Sequence, residues 1–266
     1  MQVKINENFV EVEDGVAITL LKERFYPDAD VIIYNGHIVN CDLVVNDGDI
    51  VVFIKKGKIP SQNELETLML SRHTPGVHDK LKKGRVAIAG LGGLGSNIAV
   101  SLARMGIGYL KLIDYDVVEP SNLNRQQYFI NQIGMLKTEA LKQNLMNINP
   151  YIHYIFLNEF ITKENIKEIF EDVDIIIEAF DKAEYKSMLV SCASKNFPDK
   201  KIIAASGVAG LGDPFKMKVT KLSKNIYVVG DLSSEARPGQ GLMATRVAVA
   251  ANIQANLAVN IILEES

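Results

Sequence analysis

From residue 85 onward, short apolar runs closed by glycine or an acid alternate with longer segments whose apolar positions recur at helical spacing. The runs read as buried parallel strands and the longer segments as helices packed on them. Strands are predicted at residues 86–89, 109–113, 173–181, 202–206, 216–220 and 226–229, with helices starting near Leu94 and spanning 182–196 and 247–263. This alternation gives an α/β domain over residues 84–266. Residues 1–58 follow another pattern. Polar and apolar positions alternate over 2–6 and 9–13, a helical stretch follows at 18–25, and apolar strands at 31–34 and 50–54 are separated by turn residues at Asn35-Gly36 and at 46–49. The order ββαββ predicts a small α+β domain of the β-grasp type. Residues 59–83 read as a helical linker, with a helix at 62–70.

The junction after the first strand of the larger domain carries Gly90, Gly92, Gly93 and Gly95. Such a turn lets backbone N–H groups at a helix start face a phosphate. The next strand ends on Asp114, where a Rossmann unit places the carboxylate that accepts hydrogen bonds from ribose hydroxyls; Asp116 is the nearest competitor for that role. Taken alone, these features also suit an NAD-dependent oxidoreductase. The following loop points elsewhere, because Asn122, Arg125 and Gln126, followed by Lys137, set cations and amides behind the ribose acid. Fixed cations there suit a polyphosphate attacked at phosphorus.

The strings GLGGLGSN and DYDVVEPSNLNRQ and the lysine of GMLK resemble the adenylating enzymes of ubiquitin-like carrier proteins. This is the ThiF/MoeB group, which includes the adenylating core of ubiquitin-activating enzymes, and the resemblance runs to roughly residue 263. It implies a Rossmann-like fold with a mixed sheet, ATP and Mg²⁺ as small-molecule requirements, and a homodimer. Asn122 and Gln126 would orient ribose and phosphates, while Arg125 and Lys137 would offset the charge of the leaving pyrophosphate. The family's Mg²⁺-binding aspartate follows a buried strand in an Asp-x-x-Asp-Asn pattern. Asp181 matches it, with Glu178 in place of the first acid and Lys182 in place of the asparagine. Arg72, in a short motif upstream of the adenylating fold, matches the arginine that reaches across the dimer to the partner's ATP.

The text of residues 1–58, particularly ADVIIYNGHIV and VNDGDIVVFIKKGKIP, resembles the sulfur carrier ThiS, itself ubiquitin-like. Free carriers end in Gly-Gly and react through that carboxylate. Here the chain continues as Lys56-Gly57-Lys58-Ile59-Pro60 and ends at Glu264-Glu265-Ser266, so this domain is not expected to be the substrate. The expected activity is adenylation of a separate ThiS-type carrier in thiamine thiazole synthesis. A downstream protein would complete sulfur transfer. A MoeB-like role toward a molybdopterin synthase carrier, peptide-modifying adenylation and a non-catalytic carrier-binding scaffold are the alternatives. The polar loop at 230–241 is the expected path of the carrier tail.

A net charge of −3 argues against a nucleic-acid partner. Residues 1–60 hold six basic and ten acidic residues, a balance of −4, leaving +1 for the remainder. The start of the chain does not resemble a signal peptide, and two cysteines, Cys41 and Cys192, read as ordinary buried thiols, so a reducing cytoplasmic setting is expected. No Cys-x-x-Cys pair is present, which implies no structural zinc of the kind many relatives carry. Asn252, Gln254, Asn256 and Asn260 interrupt the uncharged run at 247–263, which therefore reads as a helix packed on protein, another subunit included, rather than a membrane span.

Overall fold

The computed structural model describes residues 1–70, 76–235 and 241–265. The chain divides into two compact units, Met1–Pro75 and Gly76–Ser266.

The first unit contains β1 (Gln2–Ile5), β2 (Asn8–Glu11), α1 (Ile18–Phe25), β3 (Val31–Tyr34), β4 (His37–Val39), β5 (Ile50–Ile54) and α2 (Gln62–Leu70). Its sheet runs β2-β1-β5-β3-β4. The central pair β1 and β5 is parallel and the other pairings are antiparallel, which is the β-grasp arrangement. Alternation sends Val3, Ile5, Val51 and Phe53 inward, where they meet Ile18 and Leu21 of α1. Strand β4 is additional to the predicted set. It is three residues long, lies at the sheet edge and leaves Ile38 exposed, so no buried face shaped its sequence. Cys41 is exposed rather than buried, because it follows this edge strand.

The second unit contains α3 (Val77–Lys83), β6 (Arg85–Ala89), α4 (Gly93–Met105), β7 (Tyr109–Ile113), α5 (Lys137–Met146), β8 (His153–Leu157), α6 (Ile166–Phe170), β9 (Ile175–Glu178), α7 (Ala183–Asn196), β10 (Lys201–Ala205), β11 (Lys218–Lys221), β12 (Ile226–Gly230) and α8 (Ala244–Glu265). Its sheet runs β11-β12-β10-β9-β6-β7-β8. All neighbours are parallel except β11, which returns antiparallel to β12 and makes the sheet mixed. Strands buried on both faces explain the near-continuous apolar runs. Val86 and Ile88 join the layer holding α4 and α8, while Ala87 and Ala89 face the layer holding α6 and α7. Strand β6 lies between β7 and β9, so successive crossovers depart to opposite sides and open a crevice at the carboxyl ends of β6 and β9.

Helices α3, α5 and α6 and strand β8 are additional to the predicted elements. Helices α3 and α6 have seven and five residues, too few to display a helical period. Helix α3 falls inside the stretch read as linker, yet its Leu81 is fully buried in the core of the second unit. Helix α8 is long and apolar enough to cross a membrane by length and composition alone. Within this unit its Ala250, Ala251, Ala255, Ala258 and Ile262 are buried in the core shared with α4, while Asn252, Asn256 and Asn260 line the exposed face.

Candidate active site

A cavity of about 780 Å³ occupies the crevice, walled by the carboxyl ends of β6, β7, β9 and β10. Its floor is the turn from β6 into α4. A side chain on Gly95 would bring Cβ to 1.8 Å from the Gly90 carbonyl oxygen, so the helix can start this close to the strand only with glycine there. At Gly92 a Cβ would meet nothing nearer than the Gln126 Nε2 at 3.9 Å. The protein leaves that space free, and Gly90, Gly92, Gly93 and Leu94 border it at the helix N-terminus, where N–H groups favour an anion.

Asp114, buried at the end of β7, ties the two turns together. Its carboxylate accepts the Leu91 N–H at 2.6 Å and the Asp116 N–H at 2.8 Å. Lys137 is brought beside it by a short bridge between Val117 and Leu136. The ammonium lies 2.9 Å from Asp116 Oδ2 and 4.0 Å from Asp114 Oδ2, at the first residue of α5. Asp116 is thus Lys137's ion-pair partner at the cavity edge.

Arg125 and Gln126 enter the cavity from the loop before α5. The start of α4 fixes this loop: Asn97 Nδ2 donates to Arg125 O at 3.1 Å, and Ser96 Oγ accepts from Gln127 N at 3.1 Å. Burial draws the Arg125 guanidinium below its ordinary value, and nearby Asp181 works against that shift. Gln126 is buried and, among the described residues, its Oε1 has no partner, a polar atom left for a bound molecule. Asn122, expected to orient ribose and phosphates, does not border the cavity. Its Oδ1 accepts the Glu119 N–H at 3.1 Å and its carbonyl accepts the N–H groups of Arg125 and Gln126. The side chain closes a turn, and the residue acts on the site by positioning its two neighbours.

Across the cavity, Asp181 is exposed just past β9, with Lys182 beside it. The Lys182 ammonium rests over the Tyr185 ring, 5.4 Å from its centroid. Glu178 is not available as a metal ligand. It is fully buried, with Lys186 Nζ at 3.0 Å and the N–H groups of Phe180 and Ala205 donating at 2.7 and 3.3 Å. Burial pushes the Glu178 carboxyl up, and Lys186 and these N–H groups oppose it. Among the described residues no group of three or more His, Cys, Asp or Glu could hold a metal unaided. Mg²⁺ commonly uses one or two carboxylates and completes its shell with phosphate and water, so Asp181 alone fits that role.

Sequence reading missed the aromatic wall. Tyr115 and Phe160 meet edge to face at 4.9 Å, Phe160 and Tyr185 at 5.3 Å, and Phe180 completes the set at 6.3 Å from Tyr185. All four line the cavity and suit a flat heterocycle. They are scattered from 115 to 185, so no local motif marks them. Ser96, Asn97 and Lys186 were also missed, although the first two stand inside GLGGLGSN. Arg72 lies outside the described residues, as does part of the 230–241 loop.

The ThiF family pattern matches residues 65–266, the stretch that contains this crevice. The chain belongs to the ThiF family. Ahead of the ThiF region, residues 1–57 match the ThiS-like ubiquitin family. Curated relatives include the tRNA threonylcarbamoyladenosine dehydratase of Bacillus subtilis, 34% identical over 55% of this chain and 58% of that protein. The molybdopterin-synthase adenylyltransferase of Haemophilus influenzae is 38% identical over 42% of this chain and 46% of its own length. The chain spans a little over half the length of the tRNA dehydratases it matches, between 53 and 59%. Among solved structures, the E. coli dehydratase TcdA in complex with ATP superposes with a TM-score of 0.70 at 21% identity, covering 78% of this chain and 98% of that one. That likeness bears on the ThiF fold.

Proposed function

We propose that this protein adenylates a carboxylate at the expense of ATP, releasing pyrophosphate, and that the carboxylate is the C-terminal glycine of a separate ThiS-type sulfur carrier. The observation that carries the reading is the convergence of Arg125, Lys137 and Asp181 on one cavity whose floor is an open glycine turn at a helix N-terminus. A carboxylate is already ionised at neutral pH, so no general base is needed. The chain's task is to position reactants and stabilise charge.

In this mechanism the aromatic wall takes the adenine, Asp114 takes the ribose and the turn at Gly90, Gly92, Gly93 and Gly95 takes phosphates. Arg125 and Lys137 spread the negative charge that develops as pyrophosphate leaves. Asp181 would hold Mg²⁺, which, when bound, draws further charge from the phosphate oxygens. We further propose a homodimer in which Arg72 of one subunit serves the ATP site of the other. Sulfur transfer to complete thiazole synthesis would fall to a downstream protein. Cys192 lies in α7, packed against the core, and no other cysteine belongs to the second unit.

The ThiS-like domain supports a ubiquitin-like carrier as partner. It is not itself the substrate, because β5 runs on through Lys56 and Gly57 toward α2 instead of ending in a free Gly-Gly tail. A second reading has one observation in its favour: several curated relatives are tRNA threonylcarbamoyladenosine dehydratases. ATP–pyrophosphate exchange decides between them. Exchange that requires a ThiS-type carrier with an intact Gly-Gly end, and vanishes when the last glycine is deleted, is the expected result. Exchange driven by the molybdopterin synthase carrier alone would reassign the pathway. ATP turnover that requires threonylcarbamoyl-modified tRNA would overturn the carrier.

A further inference from the structure

Part of the cavity wall is made from two segments, one after β10 and one after β12, both lining the cavity through Ser206, Gly207 and Ser234. They are pressed together. A Cβ on Gly230 would stand 1.7 Å from the Ser206 carbonyl oxygen, and one on Gly207 would stand 2.3 Å from Asp231 Oδ1. Leu232, immediately beyond, adopts the left-handed backbone at φ 63°, which a bulky residue rarely takes without being held.

What holds it is Arg246, from the first turn of α8, only 7% exposed. Its Nη2 donates to Asp231 Oδ2 at 2.7 Å, to Ser234 Oγ at 3.3 Å and to the Gly207 carbonyl at 3.4 Å, touching both segments at once. Asp231 in turn accepts the N–H groups of Ser233 and Ser234 at 2.9 and 2.7 Å. On the other side, Gly212 lies against the guanidinium, so that a Cβ there would come within 2.8 Å of Nη1. Among the described residues, Nε and Nη1 have no hydrogen-bond partner. None of these contacts involves the glycine turn, Asp114, Arg125 or Lys137.

We propose that Arg246 is a positioning residue for the carboxylate substrate, clasping the two segments so that the acceptor end of the cavity keeps one shape independently of the nucleotide end. The inference rests on the adenylation reading. Loss of the clasp frees both segments and weakens docking of the acceptor, while the glycine turn and the ribose acid remain in place. A lysine at 246 keeps the charge but carries it on a flexible stem, without the rigid guanidinium plane that fixes the donor nitrogen among its three acceptors.

The test uses the full chain as wild type, Arg246→Ala, Arg246→Lys and Gly212→Ala, with hydrogen–deuterium exchange, calorimetric titration of a non-hydrolysable ATP analogue, and exchange kinetics with a ThiS-type carrier ending in Gly-Gly. In Arg246→Ala, amides at 206–213 and 231–235 should exchange on the order of 10-fold faster, the scale of one lost charge-assisted hydrogen bond, with β6 and α4 unchanged. Analogue affinity should stay within about 2-fold, carrier KM should rise about 10-fold, and lysine should restore part of it. Gly212→Ala, which crowds the guanidinium without removing it, should move the same peptides and serves if Arg246→Ala does not fold. Wild-type exchange rates in both segments, or nucleotide affinity falling in step with carrier KM, would overturn the proposal. A wild type that turns over no carrier counts against the adenylation reading, and the amide arm then decides the clasp by itself.

Discussion

Arg125, Lys137 and Asp181 reach one cavity from three separate stretches of chain, and in the proposed mechanism each acts on the charge of the phosphates or of their metal. Alanine at any one should lower carrier-dependent exchange by on the order of 10²-fold, the scale of a preorganised electrostatic contact, and near-native rates would return that residue to a surface role. Lys186 makes a different kind of contribution. Lys186→Met leaves the buried Glu178 carboxyl without its cation, and chemical denaturation should report a loss of about 3–5 kcal/mol at neutral pH. The pH dependence follows from the raised Glu178 carboxyl. Above its unfolded value of about 4.3 the unfolded chain releases the proton that the folded chain retains, so stability falls as pH rises. That decline should continue to higher pH in Lys186→Met than in wild type, and declines that end at the same pH would contradict the pairing.

At the scale of elements, α4 and α8 meet through alanines, and Ala258 is fully buried there. Ala258→Leu has no space to fill and should cost about 1–3 kcal/mol in urea denaturation, against almost nothing for a change at exposed Asn256. The buried strands of the second unit were legible in the sequence because both faces demand apolar residues, as at 109–113. The glycine turn and SNLNRQ were legible because their chemistry is contiguous. Helix α6 and edge strand β4 were not, being too short to carry a period. The aromatic wall and the Arg246 clasp were illegible for another reason: their parts meet only through strand order, which no local window contains. That the Asn122 side chain closes a turn was not legible either, because a cap residue inside a functional loop looks the same in sequence as a ligand residue.

For the whole molecule, all described residues lining the cavity belong to the unit that begins at Gly76. Deleting residues 1–58 should therefore leave ATP-analogue affinity within about 2-fold, well below the roughly 10-fold change expected from one lost charge-assisted contact. A folded remainder that binds no nucleotide would make the ThiS-like domain part of the site. The proposed dimer can be tested by mixing Arg72→Ala with Asp181→Ala subunits. If Arg72 serves the other subunit, each mixed dimer contains one doubly defective site and one intact site, and activity reappears. If it serves its own, subunit exchange restores nothing. The glycine turn, finally, bears on how descendants of this chain can drift. Gly95 is demanded by a carbonyl 1.8 Å from any added carbon, whereas the space at Gly92 is empty of protein. Selection for folding alone retains the first, and only selection for nucleotide chemistry retains the second. A lineage that abandons adenylation but keeps the scaffold should therefore show side chains at position 92 while position 95 stays glycine.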